Sequence, residues 1–159
     1  MTLDLPISRN SNLYDCLEEF MRPEILEGEN AWLNEKTGHK EDISKKIMFW
    51  SFPNILIFVF KRYNQTGSRK TGFLIDFPID ELDLSKYVSG YKPESYVYEL
   101  MGIGNHSGGL LGGHYTSYAR SPKGKWIHYN DATVSYVTDV SKMISPKAYC
   151  LFYRKKNWR

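Results

Sequence analysis

Residues 105–118 run Asn-His-Ser-Gly-Gly-Leu-Leu-Gly-Gly-His-Tyr-Thr-Ser-Tyr, which sets four glycines ahead of His114. Imidazole ionises near neutrality, so a histidine at the end of such a segment suits general-base chemistry. Glycine admits positive φ and lets another backbone come close, so the segment either turns tightly or lines a channel for an extended peptide. A plain surface loop explains the same composition. Further on, Tyr129-Asn130-Asp131 offers an amide and a carboxylate. Either can accept the Nδ1 hydrogen of a histidine, leaving Nε2 to take a proton from a nucleophile. That pair is two thirds of a catalytic triad, and a polar cross-strand pair on a half-exposed sheet is the structural alternative.

Whether these groups meet depends on the hairpin between them. Ser121-Pro122-Lys123-Gly124 reads as a type I turn, with glycine free to take the left-handed position of a bulge. The resulting three-residue loop sets Thr116 opposite Asn130, so that His114, Thr116, Tyr118, Trp126, His128 and Asn130 share one face and Asn130 lies diagonally from His114. A two-residue loop would instead oppose Asp131 to His114 and turn Asn130 away. The turn chemistry favours Asn130.

The elements that must position these groups read as α+β. Leu13, Cys16, Leu17, Phe20 and Met21 recur at helical spacing between a Ser11 or Asn12 cap and a stop at Pro23, which predicts an amphipathic helix with Cys16 on its core face. Residues 27–46 are polar, with a turn at Lys36-Thr37-Gly38, and predict a projecting hairpin. Ile55-Leu56-Ile57-Phe58-Val59-Phe60 is a continuous apolar run that predicts a strand buried on both faces. Strands are predicted over 96–103, 114–120, 125–131, 133–137 and 148–153, closely spaced as in an antiparallel meander.

Composition narrows the function classes. Apolar residues at 42% and aromatics at 15% place the chain among folded proteins rather than disordered ones. The net charge of +3 is scattered, without a basic stripe, so no nucleic-acid partner is expected. No apolar run reaches about 18 residues and no secretory leader is visible, so no membrane is expected either, and the protein reads as soluble and intracellular. The two cysteines, Cys16 and Cys150, lie far apart in apolar surroundings and read as buried single thiols rather than a disulfide or a metal pair.

Six blocks stand in an order that resembles the ubiquitin-specific cysteine proteases. They are Leu13-Tyr14-Asp15-Cys16-Leu17, Gly28-Glu29-Asn30-Ala31-Trp32, Pro53-Asn54-Ile55-Leu56-Ile57 leading to Lys61-Arg62-Tyr63, Gly112-Gly113-His114-Tyr115, Tyr129-Asn130-Asp131, and Ala148-Tyr149-Cys150-Leu151-Phe152-Tyr153. The resemblance covers nearly the whole chain. It implies a papain-like cysteine peptidase fold, mostly antiparallel sheet (palm and fingers) with one early helix and without the helical thumb. Residues 1–159 would then be a single incomplete domain, the C-terminal part of the catalytic domain. His114 is implied as the catalytic histidine, Asn130 as the third triad member, a position where the family uses Asp or Asn, and Asp131 as its auxiliary neighbour. The stretch from His106 to Gly113 resembles the blocking loop over the channel for the ubiquitin tail, which ends in two glycines. His106, Gly112, Gly113, Tyr115 and Tyr149 are thereby implied as tail-binding residues, with plain packing the other role open to the two tyrosines.

Two departures from the family pattern matter. The nucleophile box, Asn-Thr-Cys ahead of a helix, is missing from this sequence, and Cys16 matches a different, buried helix cysteine. Since Met1 falls where the family domain is already under way, the expectation is a truncation, a separately encoded half, or a processed or incomplete gene product, with the nucleophile supplied by an N-terminal segment or another chain. After Trp32, many relatives carry a Cys-x-x-Cys pair where this chain has Leu33 to His39, so no metal or other cofactor is expected. The expected function is hydrolysis at the C-terminal glycine of ubiquitin, with ubiquitin or ubiquitinated proteins as partners in the cytoplasm or nucleus. An inactive ubiquitin-binding or scaffold module is the alternative, and an unrelated domain with a small-ligand loop a distant third.

Overall fold

Along the chain come β1 (Thr2–Leu5), α1 (Leu13–Phe20), β2 (Glu24–Leu26), β3 (Trp32–Leu33), β4 (Lys40–Glu41), β5 (Ile43–Lys45), β6 (Ile55–Phe60), β7 (Leu82–Asp83), β8 (Val97–Gly109), β9 (Gly112–Arg120), β10 (Trp126–Asn130), β11 (Thr133–Tyr136) and β12 (Ala148–Lys155). The computed structural model describes residues 1–157 apart from 65, 68 and 110. The main sheet runs β1-β6-β12-β8-β9-β10-β11, with β7 paired to β8. Its strand pairs are antiparallel except β1 with β6, which register in parallel as Thr2↔Ile57 through Leu5↔Phe60. The mostly antiparallel α+β fold predicted from the sequence is therefore present. The parallel strand β1 was not foreseen.

The helix begins where its cap chemistry says it should. Asn12 Oδ1 accepts from the backbone N–H of Tyr14 at 2.8 Å and of Asp15 at 3.1 Å, while Asp15 Oδ2 accepts from the Asn12 N–H at 2.8 Å. This reciprocal capping box satisfies donors that a helix start otherwise leaves unpaired. Leu13, Cys16 and Leu17 face inward and join Leu5, Leu56, Phe58, Phe60, Tyr98 and Leu151 in one core. A hydrogen bond of 2.8 Å from the Leu13 N–H to the Asp76 carbonyl ties the helix start to the chain beyond β6.

Strand β6 departs from expectation on one face. Leu56, Phe58 and Phe60 are fully buried, but Ile55, Ile57 and Val59 are only half-buried. Alternate side chains point to opposite faces, and the helix with the inner core covers one of them. The projecting hairpin is present as two small ladders, β2 with β5 and β3 with β4. Asn34 closes its tip by accepting at its carbonyl from the Gly38 N–H at 2.8 Å and donating its amide to Glu41 at 2.8 Å. Among the described residues, no helix is long and apolar enough to cross a membrane.

The two hairpins that carry the chemical residues are the decisive part of the fold. Between β9 and β10 the Ser121 N–H donates to the Lys125 carbonyl at 2.8 Å and the Gly124 N–H to the Ser121 carbonyl at 2.9 Å. Gly124 has φ +78°, so the loop has the three-residue form read from Ser-Pro-Lys-Gly. The glycine-rich stretch differs from expectation, since the strands begin and end within it. Ser107↔His114, Gly108↔Gly113 and Gly109↔Gly112 are all paired, so β8 and β9 form a hairpin where a loop from His106 to Gly113 was expected. Leu110 of that stretch lies outside the described residues. The glycines serve close approach: Gly108 has φ +109°, and a Cβ there would sit 2.7 Å from the Gly112 carbonyl oxygen.

Replacing Asn12 by alanine removes the cap, and is expected to lower stability by about 1 kcal/mol. Urea denaturation should show an earlier midpoint with an unchanged slope.

Candidate active site

His114 and Asn130 come from neighbouring strands whose register is Trp126↔Arg120, Ile127↔Ala119, His128↔Tyr118 and Tyr129↔Ser117. Continued by one step, that register sets Thr116 opposite Asn130 and His114 on the diagonal, as the turn chemistry predicted. The side chains meet, with His114 Nε2 2.6 Å from Asn130 Oδ1. A carboxamide oxygen only accepts, so Nε2 carries the hydrogen and donates it. This corrects the ring assignment made from sequence, in which Nδ1 faced the amide. Nδ1 is consequently the nitrogen left to take a proton.

Asp131 sits at a corner as well as near the histidine. Its Oδ2 lies 4.0 Å from His114 Nε2, and its side chain is 81% exposed. Asn130 pairs with Thr133, so Asp131 opens a two-residue turn and has φ +50°, a conformation that aspartate tolerates better than most residues. It therefore has a structural reason to be where it is, beside any electrostatic effect on the imidazole.

On the opposite face of β9 the five residues expected to bind a peptide tail converge. His106, Gly112, Gly113, Tyr115 and Tyr149 line a cleft of about 210 Å³ together with Tyr63 and Gly109. The His106 ring stacks on Tyr115 with centroids 4.5 Å apart and tilts against Tyr149 at 6.0 Å and Tyr63 at 6.3 Å. Burial, then the ammonium of Lys70, pushes the His106 ionisation below the ordinary histidine range. Aromatic walls with a glycine floor suit a narrow, extended, side-chain-poor peptide. The cleft reaches Gly113, one residue from His114.

Neither thiol belongs to this site. Cys16 is buried in the core, where burial raises its ionisation, and its polar contact is Ser11 Oγ at 3.7 Å. Cys150 is half-buried on β12 between Gly104 and Val59, with its ionisation raised by burial and by Asp4. Both are thus kept protonated at neutral pH, the opposite of what a nucleophile needs. Among the described residues, no group of three or more histidine, cysteine or acidic side chains is placed to hold a metal ion.

Sequence reasoning missed three residues that organise the cleft: Arg62, Tyr63 and Lys70. Arg62 is completely buried and donates from Nε to the Ala148 carbonyl at 2.7 Å and from Nη1 to the Phe73 carbonyl at 2.8 Å. The signal available was an arginine two residues past the most apolar run of the chain, where burial of a charge is unexpected.

The family model for ubiquitin carboxyl-terminal hydrolases matches residues 8–153. Ubiquitin carboxyl-terminal hydrolase 10 of Arabidopsis thaliana is 40% identical over 147 residues, covering 91% of this chain and 16% of the relative. Ubiquitin carboxyl-terminal hydrolase 19 of Homo sapiens is 38% identical over 157 residues, covering 91% of this chain and 12% of the relative. Among solved structures, a chain of the SAGA DUB module Ubp8/Sgf11/Sus1/Sgf73 bound to monoubiquitin superposes with a TM-score of 0.81 at 28% identity, covering 99% of this chain and 36% of that one. The chain thus spans 16%, 12% and 36% of the length of these three proteins.

Gly113→Ala should be costly, because its Cβ would collide with the Ser107 carbonyl and the His106 ring. The expected loss is about 1–3 kcal/mol, as for other overpacked sites, read from thermal or urea unfolding. Alkylation of Cys16 by iodoacetamide at pH 7 should be at least about tenfold slower in the native chain than in urea, as buried, protonated thiols require.

Proposed function

Because the chain belongs to the ubiquitin carboxyl-terminal hydrolase family, we propose that it supplies the proton-transfer half of a cysteine-type deubiquitinase site. In this reading residues 1–159 are the C-terminal part of the catalytic domain, working in the cytoplasm or nucleus, and the ubiquitin tail lies in the cleft of His106, Gly112, Gly113, Tyr115 and Tyr149. The observation that carries the reading is the 2.6 Å contact between His114 Nε2 and Asn130 Oδ1 at the end of a glycine-floored cleft.

The chemistry follows from which atoms are occupied. Asn130 holds the imidazole with a hydrogen on Nε2, so Nδ1 takes the proton of an attacking thiol and then returns it to the leaving amine. Asp131 Oδ2, 4.0 Å from Nε2 and so well within a Debye length of about 8 Å, sets a carboxylate beside the imidazole during the transfer. The thiol itself comes from a segment outside this chain, since Cys16 and Cys150 are held protonated away from His114. Ubiquitin binding has independent support in the monoubiquitin complex of the matched SAGA module. A second reading, an inactive ubiquitin-binding or scaffold module, is favoured by the same two unreactive thiols.

The chain alone is expected neither to hydrolyse a ubiquitin–fluorophore amide nor to form an adduct with ubiquitin bearing a thiol-reactive C-terminus. Joined to a segment carrying the nucleophile, it should label, and His114→Ala should slow hydrolysis by about 10²–10⁴-fold while leaving ubiquitin affinity largely intact. Labelling of the isolated chain at Cys16 would overturn the nucleophile assignment. Full activity of the His114→Ala protein would overturn the base. Ubiquitin binding without any activity in the joined protein would select the module reading.

A further inference from the structure

The His106 ring is held by a cation that no step of the proposed chemistry uses. Lys70 Nζ lies 2.9 Å from His106 Nδ1 and 2.6 Å from the His106 carbonyl oxygen, so one ammonium grips both the ring and the backbone of the same residue. Tyr63 Oη approaches Nδ1 as well, at 3.1 Å. An ammonium has hydrogens to give and no lone pair to accept with, so Nδ1 must be the bare nitrogen and the hydrogen must sit on Nε2. The backbone of Lys70 is in turn bridged to Tyr63, and the next residue, Thr71, donates its N–H to the Arg62 carbonyl at 2.7 Å. The cation is therefore anchored to the end of β6.

What the grip positions is the glycine hairpin. The His106 ring fills the space that a side chain at Gly113 would need, and His114 follows Gly113 directly and pairs with Ser107. We propose that Lys70 is a positioning residue that clamps His106 beneath Gly113, and so holds the β8–β9 hairpin and the His114 backbone in register for proton transfer. The link to proton transfer rests on the reading of His114 given above, whereas the clamp stands on its own contacts.

The clamp has a pH sense. Groups facing the His106 ring are Lys70 and Tyr63 from the end of β6 and the loop after it, Tyr115 from β9 and Tyr149 from β12, with Arg62 acting on Lys70 and Asp4 on Tyr149. Among these the near charge is the ammonium, which opposes a second positive charge on the ring. Protonation at Nδ1 also removes the lone pair that Lys70 and Tyr63 share. The clamp is complete above the ordinary histidine range and is lost as pH falls through the lowered His106 ionisation.

Long-range ¹H–¹⁵N correlation of the imidazoles in the full chain tests this without any enzymatic assay. In the unaltered chain His106 should be the neutral form with hydrogen on Nε2. Lys70→Met should raise the pH midpoint of His106, speed amide exchange at Gly112 and Gly113 by about tenfold, and shift the His114 ring signals. Lys70→Arg should restore slow exchange, because a guanidinium can donate to the same two acceptors. An unchanged His106 midpoint with unchanged glycine exchange in Lys70→Met would overturn the clamp. So would finding the His106 hydrogen on Nδ1 in the unaltered chain, a result that holds even where Lys70→Met does not fold. The clamp can fail while His114 remains the base, because these signals do not depend on turnover.

Discussion

Arg62 takes its guanidinium out of water and donates from Nε and Nη1 to three backbone carbonyls, those of Ala148, Phe73 and Thr71, while Nη2 is buried without a hydrogen-bond partner among the described residues. Burying a charge is tolerated only when hydrogen bonds replace the lost hydration, so these carbonyls are held to it firmly. They lie on two segments, the loop after β6 and the start of β12, that lead to the cleft. Ala148 precedes Tyr149, Thr71 follows Lys70, and Arg62 itself precedes Tyr63. One guanidinium therefore ties the end of β6 and the loop after it to the start of β12, 86 positions away, and the aromatic cleft takes shape around that point.

The β8–β9 hairpin extends the frame to the chemistry. Its backbone ladder runs without a break from Gly102↔Ala119 to Gly109↔Gly112, so the position of His114 follows from that of the sheet. The β9–β10 turn then carries Asn130 to the imidazole. Of the two thiols, Cys16 sits in the apolar core and Cys150 is half-buried on β12, and burial raises the ionisation of both.

Local chemistry made much of this legible in advance. The Asn12 cap, the inward face of Cys16 and the three-residue loop at Ser121–Gly124 are decided by residues within a few positions of one another, and the His114–Asn130 register follows from the loop. The parallel pairing of β1 with β6 was hidden, because four residues at the chain start are recognised as a strand only once a partner more than fifty residues away is in place. The hairpin was hidden for another reason: glycine has weak strand propensity, and pairing across the stretch overrode it. The Lys70–His106 grip spans 36 positions between a loop and a strand, with no periodicity to announce it. Sequence also left the ring orientation of His114 open, since a strand register places the side chain on a face without setting its χ2.

Strand β9 separates two jobs by alternation. His114 looks toward Asn130 on one side of the ribbon, and Tyr115 looks toward His106 on the other. In genetic terms this makes the segment intolerant of frame-preserving length changes even where its individual residues are replaceable. Gain or loss of one codon between Tyr115 and Arg120 would rotate everything upstream by half a turn relative to β10, exchanging the proton-transfer surface for the cleft surface in a protein whose composition is almost unaltered.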